Sequence, residues 1–222
     1  MNELKNVVLA TDENALTQRT YNVRIGLNLL LGILITAIGV LAFQNNLGLL
    51  FYAHPIVFTI IFLIVTIGAE IKAIQSTNLG VIYTCYAIIC LTIGALLSST
   101  VPYFSAEQIT FAAGSTFLIL VIMIVSSTIA PGAFLSIGRG LFTALIAFII
   151  AELFMLLIFG HSFTFMDYIA IFIFSLYIGF DWARGAFCPR NDKFAILTSL
   201  CIYLDIVNIF IRLLSSSSNS KK

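Results

Sequence analysis

The stretch Ser199–Leu214 reads SLCIYLDIVNIFIRLL. It has the length and apolar content of a membrane crossing, yet Asp205 sits in its middle. A bare carboxylate in the hydrocarbon core costs several kcal/mol, so buried acids in membranes face the bundle interior or a water-filled cavity. Thr198, Cys201, Asp205, Asn208 and Arg212 recur at spacings of three and four, which puts them on one helix face. The remaining faces carry Ile, Val, Leu and Phe. Two readings of the polar stripe stand at this point. It bonds neighbouring helices, as polar residues do in membrane bundles, or it lines a solvated path or ion site.

The rest of the chain has the same character. Of its 222 residues 60% are hydrophobic and only 9% charged, with a mean hydropathy of +1.08. A soluble domain is about 45–50% apolar and about 25% charged, so the composition is that of an integral membrane protein. A net charge of +1 gives no basis for a nucleic-acid partner. The four cysteines, Cys85, Cys90, Cys188 and Cys201, lack the CxxC spacing of a zinc or redox site and read as free thiols.

A crossing helix needs about 20 apolar residues. Seven such runs occur, at 25–43, 54–75, 79–100, 109–129, 140–159, 165–181 and 194–214. The links are too short for a soluble domain. The expected fold is all-α: a polytopic seven-transmembrane-helix bundle with the last helix central, because its polar stripe has to be shielded from lipid. Residues 1–24 read as a polar cytoplasmic N-terminal arm, 25–214 as the seven-span domain and 215–222, with SSSSNSKK, as a disordered polar tail. No small-residue cleavage site follows the first apolar run, so that span is read as retained.

Basic residues set the orientation. Lys5, Arg19 and Arg24 lie in the arm; Lys72, Arg139, Arg184, Arg190 and Lys193 lie in or beside the even-numbered links; the odd-numbered links carry none. The N-terminus is therefore expected in the cytoplasm. Arg212, Lys221 and Lys222 strain this assignment, and a re-entrant last segment is the alternative to a seventh span.

Acids mark the candidate site. Glu70 near the end of span two has Lys72 beside it, and an exposed interfacial pair is the plain reading. Asp181 closes span six in SLYIGFDWAR, with Tyr177 one turn earlier; pairing with nearby Arg184 is the plain reading there. Glu152 falls near the centre of span five in IIAELFML. A lone central glutamate is expected to be neutral and hydrogen-bonded, facing the bundle interior.

SLYIGFD, a basic loop and SLCIYLDIVNIFIRLL together resemble the last two helices of the Bax inhibitor-1 family, also called the transmembrane BAX inhibitor motif family, which includes YetJ-like bacterial members. The resemblance is strong over residues 174–214 and architectural elsewhere; AAGSTFLIL in span four is similar to the family's fourth helix more weakly. It implies a pH-sensitive calcium leak channel, not an enzyme, gated by a di-aspartyl pair that maps onto Asp181 and Asp205. Calcium is then the transported or bound ion, with Asp181 and Asp205 as its ligands, and no other cofactor is implied. A basic latch on helix two is implied, with Lys72 the nearest residue, and Glu70, Asn208 and Glu152 are further latch or pore-lining candidates. A symmetric hairpin turning at Cys188–Pro189 sets the two aspartates about 14 Å apart along the axis, so the residues alone do not predict their pairing.

Two carboxylates in contact cannot both ionise easily, so such a pair titrates as a unit. Its oxygens suit Ca²⁺, which competes with the proton. The alternative function is a non-conducting regulator of a membrane protease or of cell-death and stress proteins, with a membrane-protein partner besides the lipid bilayer. A transporter, an intramembrane serine protease and a retinal protein fit less well: the prolines lie at span ends, as do His54 and His161, and the last span has no lysine. The short termini fit a bacterial plasma membrane, with an ER or Golgi membrane as the alternative.

Overall fold

A computed structural model of the protein describes residues 15–44, 55–160 and 163–219. Among these every regular element is helical: α1 (Gln18–Phe43), α2 (Pro55–Gln75), α3 (Leu79–Ser98), a 3-10 turn at Val101–Tyr103, α4 (Ala106–Ile129), the short α5 (Pro131–Ser136), α6 (Gly138–Phe159), α7 (Thr164–Phe187) and α8 (Asp192–Asn219). Six of them are long and apolar enough to cross a membrane: α1, α3 with its 3-10 extension, α4, α6, α7 and α8. The 21-residue α2 coincides with the second expected span.

Helix ends differ from the expected spans for local reasons. α1 starts seven residues before the first apolar run, because the Thr17 side chain accepts from the Thr20 amide and caps it. The α4 start carries a reciprocal capping box between Ser105 and Gln108. Gly160, at φ 72°, closes α6 in the left-handed conformation that glycine tolerates. Asp181 does not close its helix: Trp182–Phe187 contain nothing that breaks one, and α7 runs on until the Pro189 region. The expected disordered tail begins as helix, since α8 continues through Asn219, and the Ser216 and Ser217 hydroxyls bond back to the carbonyls of Leu213 and Leu214. Residues 220–222, most of the N-terminal arm and the first link lie outside the described residues.

The chain forms two compact units, and α8 contributes to both. The first comprises the chain through Tyr103 with Cys188–Leu200. Here Tyr21, Ile25, Asn28, Leu29, Gly32, Thr36 and Gly39 make the buried stripe of α1. It lies on a matching α3 stripe that includes Ile82, Tyr86, Ile89, Cys90 and Gly94. Polar contacts fix the register. Tyr86 donates to the Asn28 carbonyl at 2.7 Å and Thr36 to the Cys90 carbonyl at 3.3 Å. The first turns of α8 join this unit as Ser199 donates to the Ile25 carbonyl at 3.1 Å and Arg24 pairs with Asp192.

The second unit comprises Phe104–Phe187 with the chain from Cys201 on. Ser127 donates to the Gly179 carbonyl at 2.5 Å and Trp182 Nε1 to Thr128 Oγ1 at 2.9 Å, which ties α4 to α7. Phe148 of α6 packs with Met166, Ala170 and Ile173 of α7. Elsewhere α4 and α6 expose large apolar side chains such as Ile129 (78%) and Leu157 (84%), a surface suited to lipid. α8 differs: from Asp192 to Ser217 no residue is exposed. The stripe of the quoted stretch faces protein, with Thr198 and Asp205 buried.

The α1–α3 crossing depends on two glycines. A Cβ on Gly94 would meet the Thr36 carbonyl oxygen at 2.5 Å and the Gly39 Cα at 2.9 Å. Small residues at such crossings let backbones approach, which is where helix association in lipid draws its packing energy. Gly94→Val is expected to lower stability by about 1–3 kcal/mol through overpacking, read as a lower melting temperature in detergent. Gly26→Ala, where nothing lies within 4 Å of the added methyl, is the control and should leave it unchanged. Equal melting of both variants would refute the close crossing.

Candidate functional site

Two polar clusters lie within the second unit. The first gathers around Asp181 on α7, whose side chain is 8% exposed. Arg184, one turn later, reaches back so that Nη2 lies 2.9 Å from Asp181 Oδ1. The spacing of three puts both on one face, so the ion pair is built into the helix itself. The guanidinium also lies 5.6 Å over the Phe180 ring and donates to Cys201 Sγ at 3.3 Å. Asp205 on α8 is 6% exposed and stands within electrostatic range of Asp181 and Arg184. Its Oδ2 is fully buried with no hydrogen-bond partner. Tyr177, one turn before Asp181, lies in range of both aspartates.

The two aspartates therefore stand within electrostatic range of each other, despite the offset expected for a symmetric hairpin. Arg184, three residues after Asp181, touches Cys201, four residues before Asp205. That antiparallel register is centred beyond Pro189, near residue 193. At this level α7 and α8 are thus staggered rather than folded evenly about the turn, which shortens the expected axial gap.

The second cluster is a three-helix fork. Arg212 on α8 donates from Nη1 to Glu152 Oε1 at 2.5 Å and from Nη2 to Glu152 Oε2 at 2.8 Å. Nη1 also donates to Asp167 Oδ1 at 3.1 Å. Glu152 comes from α6 and Asp167 from the first turn of α7. Asp167 is almost wholly buried, while Arg212 and Glu152 side chains are 21% and 26% exposed. The guanidinium covers the Phe148 ring at 5.5 Å. Parallel N–H···O bonds to one carboxylate are the strongest form of this pairing.

The expectation of a lone, neutral Glu152 is overturned: both of its oxygens take an arginine. Arg212 was visible in the stripe, but its partners lie 60 and 45 residues earlier, and no local spacing links them. Asp167 was passed over, although an acid inside an expected span is itself a signal. Asn208 turns its amide back to the Leu204 carbonyl at 2.9 Å. Glu70 and Lys72 lie on α2 in the first unit, Lys72 exposed. The cation seated on Asp181 is Arg184. Among the described residues no three His, Cys, Asp or Glu side chains gather as a metal-holding group, and none of the four cysteines is in a disulfide.

Apolar crossing helices, an enclosed last helix and acids buried along it define a polytopic α-helical membrane protein. The chain belongs to the Bax inhibitor-1 family: the family model described as inhibitor of apoptosis-promoting Bax1 matches residues 14–221. No curated protein matches the chain.

Removing one partner of a buried ion pair leaves the other charge uncompensated and costs about 3–5 kcal/mol. Arg212→Ala should therefore be strongly destabilising in thermal unfolding. The triple variant Arg212→Met, Glu152→Leu, Asp167→Asn should recover most of the loss, since apolar replacement of a whole ionic group is often near neutral. A triple variant no more stable than Arg212→Ala would contradict this account of the fork.

Proposed function

We propose that the protein is a pH-sensitive cation leak that passes Ca²⁺ down its gradient, with Asp181 and Asp205 as the gate. The observation that carries this reading is the buried, unpartnered Oδ2 of Asp205 beside an Asp181 that Arg184 already holds. A carboxylate oxygen left unmatched at this depth is costly unless the group takes up a proton or a cation. The first supplies a sensor and the second a binding step for a permeating ion. Two carboxylates in range of each other share their charge state and titrate together.

Ca²⁺ is suited by hard oxygen ligands. Two carboxylates make a weak, transient stop for a moving ion rather than a resident cage. Lys72 was the latch implied by resemblance; the geometry favours Arg184 as the cation that holds the ionised pair closed. Protonation removes the Coulomb hold, α7 and α8 part, and the leak opens. Seven spans, with α2 as the seventh and α8 central, complete the reading, supported by α2's length and α8's burial. A bacterial plasma membrane with a cytoplasmic N-terminus is the setting we favour.

The test is Ca²⁺ entry into dye-loaded proteoliposomes from about pH 6 to pH 8, the range in which a proton-sharing pair acts as a sensor. Flux should rise toward acid. Asp205→Asn should flatten the profile more than Asp181→Asn, because Asp205 holds the unmatched oxygen. Arg184→Gln should raise flux at the alkaline end. Unchanged profiles in both aspartate variants would sink the gate. No flux above empty liposomes at any pH would leave the regulator of a membrane protease or of cell-death proteins as the function.

A further inference from the structure

The leak reading uses Asp181 and Asp205 and leaves the second cluster without a role. Arg212 lies on the same α8 stripe as Asp205, seven residues on, or about 10 Å along the axis. Between the two charge layers on α7 lie Ala170 and Ile173, part of an apolar cluster with Phe148, against which Tyr177 packs. Phe148 lies under the Arg212 guanidinium, and Tyr177 stands in electrostatic range of the two aspartates. The order along α7 is thus acid pair, apolar plug, charge fork.

We propose that Glu152, Arg212 and Asp167, with the apolar cluster beneath them, form a second closure in series with the aspartate gate, barring the cation path at the far end of α8. This rests on the leak reading for its purpose, but not for its test. One guanidinium joins three helices through three hydrogen bonds, so while it is held, α6 and α7 cannot move away from α8. The fork carries two carboxylates against one cation, so it repels anions and draws cations to the plug. Arg212 and Glu152 are partly exposed, so protons and ions from that side reach them. The charged and titratable groups on the elements packed here are Glu152 on α6, Asp167 and Tyr168 on α7, Arg212 on α8, and Glu107 at the start of α4. Gln108, next to Glu107, donates to the Ser217 carbonyl at 3.2 Å. Among the described residues the cation held by these acids is Arg212.

The experiment places a reporter thiol between the layers. Cys85, Cys90, Cys188 and Cys201 are replaced by alanine, and Asn208→Cys is introduced in full-length protein in liposomes. A membrane-impermeant maleimide is applied to each face in turn. With Arg212 intact, labelling from the α8 C-terminal side should be slow. Arg212→Gln should speed it several-fold. The charge exchange Glu152→Arg with Arg212→Glu, made with Asp167→Asn so that no acid faces the new glutamate, should restore protection, which separates the fork from a folding defect, and Arg212→Lys should protect partially because an ammonium cannot hold both oxygens as a planar fork does. Labelling that ignores Arg212 in folded protein, or rapid labelling already in the Arg212 background, overturns the closure. Should labelling follow Arg212 while no Ca²⁺ flux appears at any pH, the leak reading fails and the closure stands. Should flux be normal while labelling ignores Arg212, the closure fails and the leak stands.

Discussion

A carboxylate buried among membrane helices has to be matched, by a proton, by a cation or by donors, and the second unit is arranged around that requirement. Glu152, Asp167, Asp181 and Asp205 lie within its helices, and two arginines answer three of them. Arg212 spans two acids at once, and Arg184 takes Asp181. Asp205 is left with one oxygen unmatched. The unevenness is informative. A purely structural design would satisfy every acid or replace it with leucine, because ion pairs in low dielectric are at best a weak source of stability. The unmatched oxygen near an already matched acid is the feature on which the proposed gate rests.

The choice of arginine at both positions follows from shape. A guanidinium is planar, stays charged and offers five donors in a fixed fork. At Glu152 the two outer nitrogens take the two oxygens, and one of them still reaches Asp167. Aromatic faces complete the arrangement, with Phe148 under Arg212 and Phe180 under Arg184. Both rings take up a weakly hydrated cation in a region where water is scarce. A lysine offers a point charge and would hold one acid at a time, releasing α6 or α7.

Much of this was legible in one line of sequence. The stripe Thr198, Cys201, Asp205, Asn208, Arg212 announced which face of α8 turns inward, since helical spacing is a local property. Composition made the chain a membrane protein, but the capped starts of α1 and α4 lie ahead of the apolar runs and were not read from them. The tertiary partners were not legible. Glu152 read as solitary because its arginine is 60 residues away. The meeting of Asp181 with Asp205 depends on the stagger of α7 against α8, and no spacing rule specifies a stagger. The continuation of α7 past Asp181 was masked by its polar and charged residues, which lower hydropathy without breaking a helix. Hydropathy marks where lipid lies, and backbone hydrogen bonding marks where the helix ends.

The same stagger gives the two clusters their relation. Asp181 lies 14 residues after Asp167 on α7, about 21 Å along the axis, whereas Asp205 lies seven before Arg212 on α8. The difference, seven residues or about 10 Å, is taken up by the reach of the Arg212 side chain and by the interval between the clusters, where Phe148, Ile173 and Tyr177 pack together. Helices joined at both levels carry a displacement from one to the other through packed side chains, and such coupling requires no polar wire.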